Sequence, residues 1–190
     1  LSFHGYIDRI SKCLRTALVT NKNGDNIDFD DAINWCVNST RQTTDDGNKI
    51  IFIGNGGSAG ISSHLAIDYS KNGNMRSLAF NDGPALTCIG NDLGYEYVFS
   101  KQLELHAKPN DMLVAISSSG ESENILNAVK IAQSKNCKIL TFSGFKETNL
   151  LRDMGDMNFY VNSNEYGFVE ISHLTLGHCI LDTAMGLFKV

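Results

Sequence analysis

KIIFIGNGGSAGISSHLAIDYSK, residues 49–71, has the pattern of a short strand, a glycine-rich loop and a helix. The continuous apolar run 50–53 is typical of a strand that is covered on both faces of a parallel sheet. Gly54, Gly56 and Gly57 permit positive φ angles and close backbone approach, and the start of the following helix offers unpaired N–H groups. The segment therefore predicts an α/β fold, with a loop that either binds an anion or simply turns the chain.

Further apolar strands alternate with helical segments along the rest of the chain. Strands are predicted over 76–80, 111–117, 137–144 and 157–162, and a long last helix over about 167–187. Short, nearly all-apolar strands that alternate with helices indicate a parallel sheet with helices on both faces. We predict a three-layer α/β sandwich with five parallel strands over residues 47–190.

The first 46 residues are predicted to form two helices, which are broken at NKNGDN (21–26) and end at TDDGN (44–48). Asp28 is suited to cap the second helix. The apolar stripe of the first helix consists of Phe3, Ile7, Ile10, Leu14 and Leu18. Such a stripe packs either on the main domain or on another subunit. We expect the helical pair and the α/β core to form a single domain, residues 1–190.

Composition excludes several classes of protein. The formal charge of -5 is spread along the chain without a Lys/Arg cluster, so no face suited to nucleic acid is expected. The five cysteines include no CxxC pair, which argues against a disulfide framework or a cysteine zinc site. Since no apolar run approaches the roughly 18 residues of a membrane span and no secretory signal is evident, we expect a cytoplasmic protein.

A second polar loop, SSSGES (117–122), follows the third predicted strand and opens another helix. In a flavodoxin-like sheet, ligands bind beyond the carboxyl ends of the first and third strands, where the strand order reverses. Serines before a helix can also act only as caps. Because both loops fall at the predicted switch point, we predict that they form one phosphate site.

A dinucleotide site is the alternative for the first loop, because Gly54, Gly56 and Ala59 fit a GxGxxA variant. That site requires an acidic residue roughly 20 positions further along the chain. The segment KNGNMRS (71–77) offers none, so the dinucleotide interpretation is disfavoured.

Two histidines and two carboxylates form the second candidate feature. His64 and Asp68 are four residues apart and project from one helix face, while the last helix carries Glu170, His173 and His178. Such side chains suit a tetrahedral zinc site or a general acid and base pair. They equally suit structural roles, such as a buried His bonded to a backbone carbonyl. Spacing alone leaves both interpretations open.

The combination GNGGS (54–58), HxxxD (64–68), GND (90–92), ISSSGES (116–122) and ExxHxxxxH (170–178) resembles the sugar isomerase (SIS) domain. Within that domain it resembles the phosphoheptose isomerase family over nearly the whole chain. The resemblance implies a five-stranded parallel flavodoxin-like sheet in a homotetramer that converts sedoheptulose 7-phosphate to glycero-manno-heptose 7-phosphate, for heptose and lipopolysaccharide synthesis.

The same resemblance assigns roles to individual positions. It implies one zinc ion per subunit, on His64, Asp68, Glu170 and His178. Asp68 would be the catalytic base, and His178 the proton donor or a metal ligand. It places substrate contacts on Asn55, Gly56, Gly57, Ser58, Asn91, Asp92, Ser117, Ser118, Ser119, Ser122 and Glu170.

The sequence departs from the family pattern at two of these positions. The family usually has Glu where Asp68 stands and Gln where Glu170 stands, so the metal set here would have one shorter and one more acidic ligand. Two rival functions are a non-catalytic SIS-fold regulator, which binds phosphosugars or a replication initiator, and an isomerase of another ketose phosphate. His178 together with Glu170 favours catalysis.

Overall fold

A computed structural model of the chain describes residues 2–188. The strands are β1 (Leu18–Asn21), β2 (Ile50–Gly54), β3 (Ser77–Ala79), β4 (Met112–Ser117), β5 (Lys138–Ser143) and β6 (Met157–Tyr160). The α-helices are α1 (Phe3–Arg15), α2 (Phe29–Asp45), α3 (Gly57–Lys71), α4 (Gly83–Asp92), α5 (Ser100–His106), α6 (Glu123–Ser134) and α7 (Tyr166–Ala184). Short 3-10 helices cover Tyr95–Tyr97 and Leu150–Asp153.

The strands form one sheet in the order β1-β6-β5-β4-β2-β3. The five strands from β2 to β6 pair in parallel, and their order is that of a flavodoxin-like sheet with the switch point between β2 and β4. The predicted α/β class and parallel core are therefore confirmed, and the two candidate loops follow the neighbouring strands β2 and β4.

A sixth strand, β1, was not predicted. It pairs antiparallel with β6, so that Leu18 lies opposite Tyr160 and Asn21 opposite Met157. The prediction of an unbroken first helix through Leu18 is wrong, because α1 ends at Arg15 and Leu18 opens the strand. The strand depends on a partner some 140 residues away in sequence, which local periodicity does not reveal.

Both faces of the sheet are covered, and the alternation of side chains along the strands explains how. Ile50 and Phe52 of β2 pack in one core with α2, α3 and α7. Ile51 and Ile53 point the opposite way and pack in a second core with α5 and α6. Since successive strand residues face opposite sides, each apolar strand supplies both cores, and the sandwich has three layers.

The two N-terminal helices differ in how they are buried. Asp28 accepts hydrogen bonds from the backbone N–H groups of Asp30 and Asp31 and so caps α2, as predicted. Ala32, Ile33 and Cys36 of α2 are buried in the main core, whereas α1 has no buried residue. Phe3 is 75% exposed and Ile7 46% exposed on α1. The α2 stripe thus packs on the domain, and much of the α1 stripe faces outward.

Helices α3 and α7 pack side by side and run in the same direction. Gly57 lies against Glu170 near the start of both helices, and Gly177 lies against the Leu65 side chain further along. The hydroxyl of Tyr69 donates a hydrogen bond to the Gly177 carbonyl at 3.0 Å. Glycines at both points allow this close approach, which fixes α3 relative to α7.

Across residues 2–188, the structure contains no helix that combines the length and the apolar character of a membrane span.

Candidate active site

The first loop ends β2 and starts α3 without a side-chain cap. Gly56 is the N-cap residue, with φ of 53°, a conformation that disfavours residues with a side chain. Among residues 2–188, no acceptor is found for the backbone N–H groups of Gly57 and Ser58. These N–H groups and the helix dipole therefore provide partial positive charge at the carboxyl end of β2.

The serine loop between β4 and α6 is held in shape by buried contacts. Gly120 has φ of 64°, and a Cβ there would collide with the Asn149 side chain. Asn149 is fully buried and its amide donates to the carbonyls of Gly144 and Lys146. The backbone N–H of Gly120 donates to the Ser117 hydroxyl at 3.2 Å. The loop is thus fixed before any ligand arrives.

Both loops line a single cavity of about 240 Å³. Its lining residues are Asn55, Gly56, Gly57, Ser58, Ser117, Ser118, Ser119, Ser122, Tyr166 and Glu170. The Ser118 hydroxyl is buried, and among the described residues it has no hydrogen-bond partner. Ser122 is the N-cap residue of α6, yet its side chain makes no capping bond. Hydroxyls and backbone N–H groups thus face the cavity with unused hydrogen-bonding capacity.

His64, Asp68 and His178 converge between α3 and α7. The Nε2 atoms of the two histidines are 3.2 Å apart, and Asp68 Oδ2 lies 3.3 Å from His64 Nε2 and 4.0 Å from His178 Nε2. Within residues 2–188 these three side chains form the group whose ligand atoms lie close enough to share a metal ion. His64 and His178, which are 114 residues apart in sequence, are therefore neighbours in the fold.

These three donors fit a zinc ion. Two ligands of a tetrahedral zinc at about 2.1 Å are about 3.4 Å from each other. Two of the three separations, at 3.2 and 3.3 Å, are near that value, and Asp68 to His178 is longer at 4.0 Å. Two imidazoles and a carboxylate are also the donor types that zinc takes with an open fourth position.

Glu170 lies outside this group, although it was predicted as a fourth ligand. Its carboxylate packs directly over Gly57 and lines the cavity beside the first loop. Eight residues separate it from His178 on α7, which corresponds to about 12 Å along a helix axis. The structure places Glu170 with the predicted substrate contacts.

The sequence comparisons agree with this geometry. The SIS domain family model matches residues 5–144. The phosphoheptose isomerase of Campylobacter concisus is 37% identical over 153 residues, which is 77% of this chain and 80% of that protein. The phosphoheptose isomerase of Aliarcobacter butzleri is 36% identical over 145 residues, covering 73% of this chain and 76% of the relative. This chain belongs to the phosphoheptose isomerase family of SIS-domain proteins.

A solved structure extends the likeness to nearly the full length. The phosphoheptose isomerase from Neisseria gonorrhoeae superimposes with a TM-score of 0.80 at 26% sequence identity. The match covers 95% of this chain and 96% of that structure. The likeness therefore extends to β6 and α7, which lie outside the residues that the SIS domain family model matches.

Two of the residues that the family resemblance predicted do not line the cavity. Asn91 and Asp92 lie exposed in the last turn of α4, where the Asn91 amide donates to Asp92 Oδ1 at 2.8 Å. Conversely, Tyr166 lines the cavity and was not predicted. It is 62% exposed, and its ring packs edge-on against Phe145, with 4.8 Å between the ring centroids. Tyr166 is the second residue of EYGFVE (165–170). The sequence pattern predicted the last helix from about residue 167, but it did not indicate that Tyr166 lines the cavity.

His173 has a structural role, which was one of the alternatives for the histidines of α7. Its ring is fully buried, and its Nε2 lies 3.0 Å from the Ser143 carbonyl oxygen. Because a carbonyl oxygen only accepts hydrogen bonds, Nε2 carries the proton and Nδ1 is unprotonated. In the described chain Nδ1 has no hydrogen-bond partner. Burial lowers the pKa of His173 to about 4, because the charged ring would lose its hydration.

Proposed function

We propose that this chain interconverts sedoheptulose 7-phosphate and D-glycero-D-manno-heptose 7-phosphate as a step in heptose biosynthesis. Family membership supports an aldose-ketose isomerase that acts on a phosphosugar. One observation carries the assignment of the site: helix α3 begins at the anion cradle and, further along, carries His64 and Asp68 beside His178 of α7.

The phosphate would bind at the cradle end of the site. The uncapped N–H groups at the start of α3 and the serine hydroxyls provide several donors within one cavity. Helix N-termini favour anions through these donors and through the helix dipole. Holding the remote phosphate fixes the sugar's position, so that its carbonyl end is presented to the second cluster.

The reactive end of the sugar would lie at the cluster of His64, Asp68 and His178. His64 follows Gly57 by seven residues on α3, which corresponds to about 10 Å along the helix. Isomerisation moves a proton between the first two carbons through an enediol, and this requires a base near carbon and an acid near oxygen. We assign Asp68 as the base and His178 as the proton donor or a metal ligand.

Zinc, one ion per subunit, would be held by His64, Asp68 and His178. When bound, it would supply positive charge that stabilises the oxygen of an enediolate. Metal binding by His178 would occupy the nitrogen that proton donation needs, so the two roles of His178 are mutually exclusive. A chelator test of activity and a pH profile separate them.

We further propose that the protein acts as a homotetramer in the cytoplasm and that its product serves lipopolysaccharide synthesis. The outward-facing residues of α1 support self-association, because large exposed apolar side chains are typical of interfaces. Light scattering coupled to size-exclusion chromatography measures the mass; a monomer at micromolar concentration would contradict the tetramer.

The deciding experiment incubates the protein with a panel of ketose phosphates, with and without a chelator. Turnover of the seven-carbon phosphate above pentulose and hexulose phosphates supports the proposal. Phosphosugar binding without turnover would instead support a regulator. His178→Ala should abolish turnover, while His106→Ala, which changes an exposed histidine of α5, should leave it unchanged. Undiminished activity of His178→Ala would reject the assignment.

A further inference from the structure

The side chain of Asn55 in the first loop is held by two partners from distant parts of the chain. Its Nδ2 donates to Asn124 Oδ1 at 2.8 Å, and Asn124 Nδ2 donates back to Asn55 Oδ1 at 2.9 Å. The hydroxyl of Tyr95 donates to the same Asn55 Oδ1, also at 2.9 Å. Segments that are 40 and 69 residues away in sequence therefore meet at one amide.

The pair of amides connects the two loops of the anion cradle. Asn55 directly follows β2, whereas Asn124 lies in the first turn of α6, two residues after Ser122. Asn124 is 2% exposed, so a shift that broke these hydrogen bonds would leave a buried amide without its partner. A sideways shift of one loop against the other would break both bonds at once. The spacing of the cradle is thus fixed by this pair.

The hydrogen bonds also determine which group of the Asn55 side chain is left for a ligand. Its carbonyl oxygen accepts from both Tyr95 and Asn124, which uses both lone pairs. One N–H of its amide group donates to Asn124, and the second remains for a ligand. Asn55 lines the cavity, and this second N–H is the side-chain group that it has left to offer a phosphate oxygen there.

Tyr95 is placed for this contact by the backbone before it. Gly94 has φ of 113°, and the chain turns there from the end of α4 into the 3-10 helix Tyr95–Tyr97. Tyr95 is 62% exposed, so its ring contributes little to the core. Neither Tyr95 nor Asn124 lines the cavity, so both would influence a ligand only through Asn55.

We propose that Tyr95 and Asn124 are positioning residues of the anion site, which hold the Asn55 N–H toward the phosphate and keep the two loops at a fixed distance. This inference rests on the proposed function only in that the ligand carries a phosphate. It adds a connection between the segment after α4 and the cradle.

The test compares Tyr95→Phe with Tyr97→Phe. Both changes remove one hydroxyl from the same exposed 3-10 helix, but the Tyr97 hydroxyl makes no hydrogen bond within residues 2–188. Tyr95→Phe should raise the KM for the phosphosugar and the Kd for inorganic phosphate about two- to fivefold, with kcat and Tm nearly unchanged. Tyr97→Phe should change neither constant. Equal constants for Tyr95→Phe and the parent protein would overturn the proposal.

A second comparison tests whether the effect passes through Asn55. In an Asn55→Ala background, Tyr95→Phe should cause no further loss of phosphate affinity, because the shared partner is already gone. The same fold-loss in both backgrounds would overturn the inference. Asn124→Ala should weaken phosphate binding by about tenfold or more, since it leaves the Asn55 amide without its reciprocal partner.

Calorimetric titration with inorganic phosphate keeps this inference separate from the proposed reaction. A parent protein that binds phosphate but does not isomerise the sugar would contradict the proposed function. The phosphate affinities of the variants would still decide the roles of Tyr95 and Asn124.

Discussion

Acidification should destabilise the protein through one buried side chain, His173. Its pKa is about 4 in the folded chain, against 6.5 for an unperturbed histidine. The folded state therefore keeps the ring neutral at a pH where the unfolded chain binds a proton. The contribution of the neutral His173 ring to the free energy of unfolding is fully present above pH 6.5 and is lost as the pH falls toward 4.

The size of the effect follows from the two pKa values. The difference of about 2.5 corresponds to about 3 kcal/mol at most, of which about 2 kcal/mol is lost by pH 5 and nearly all by pH 4. Small domains are commonly stable by about 5–15 kcal/mol, so this loss is a large part of the total. The physical cause is that protonation would charge Nδ1, which is buried without an acceptor in the described chain.

Urea unfolding at pH 7, 6 and 5, followed by circular dichroism with a chelator present, measures this loss. The variant His173→Gln, which does not titrate, should lose about 2 kcal/mol less between pH 7 and 5 than the parent protein. His106→Gln, a change at an exposed histidine, should keep the parental pH dependence. The reasoning is refuted if His173→Gln loses as much stability on acidification as the parent does.

Three further substitutions test the cradle and the core. Gly120→Ala should destabilise the protein by about 1–3 kcal/mol and weaken phosphate binding, because the new Cβ meets Asn149 at a positive φ; normal Tm and Kd would contradict this. Glu170→Gln should tighten binding of inorganic phosphate, since it removes a negative charge from the cavity, and calorimetry showing weaker binding would argue otherwise. Asp111→Ala should cost about 3–5 kcal/mol in urea unfolding, because Asp111 is 1% exposed and pairs with Lys49 Nζ at 2.6 Å; a loss below 1 kcal/mol would show that the pair is dispensable.

Much of the fold was predictable from the sequence because its signals are local. The apolar runs of β2 and β4 predict a sheet buried on both faces, and the loops that follow them lie at the switch point as expected. Strand β1 was missed because Leu18 continues the helical spacing of α1. Its strand conformation comes from pairing with β6, a contact between opposite ends of the chain.

The site was predictable where residues share an element, and less so where they meet across elements. His64 and Asp68 share one helix face by spacing alone, and the cradle follows from two loop motifs. The link from Tyr95 to Asn55 depends on the turn at Gly94, which no motif indicates. The position of Glu170 over Gly57 likewise depends on how α7 packs against α3.

Helix α3 also has a consequence for substrate choice. It starts at the cradle and carries His64 and Asp68 further along, so the gap between the cradle and these two side chains is set by the rise of one rigid helix and not by a movable side chain. A sugar shortened by one carbon could not contact both the cradle and the cluster. Acceptance of a different chain length should therefore require other positions along α3 to carry the imidazole and the carboxylate, a change that substitutions in the pocket lining alone do not produce.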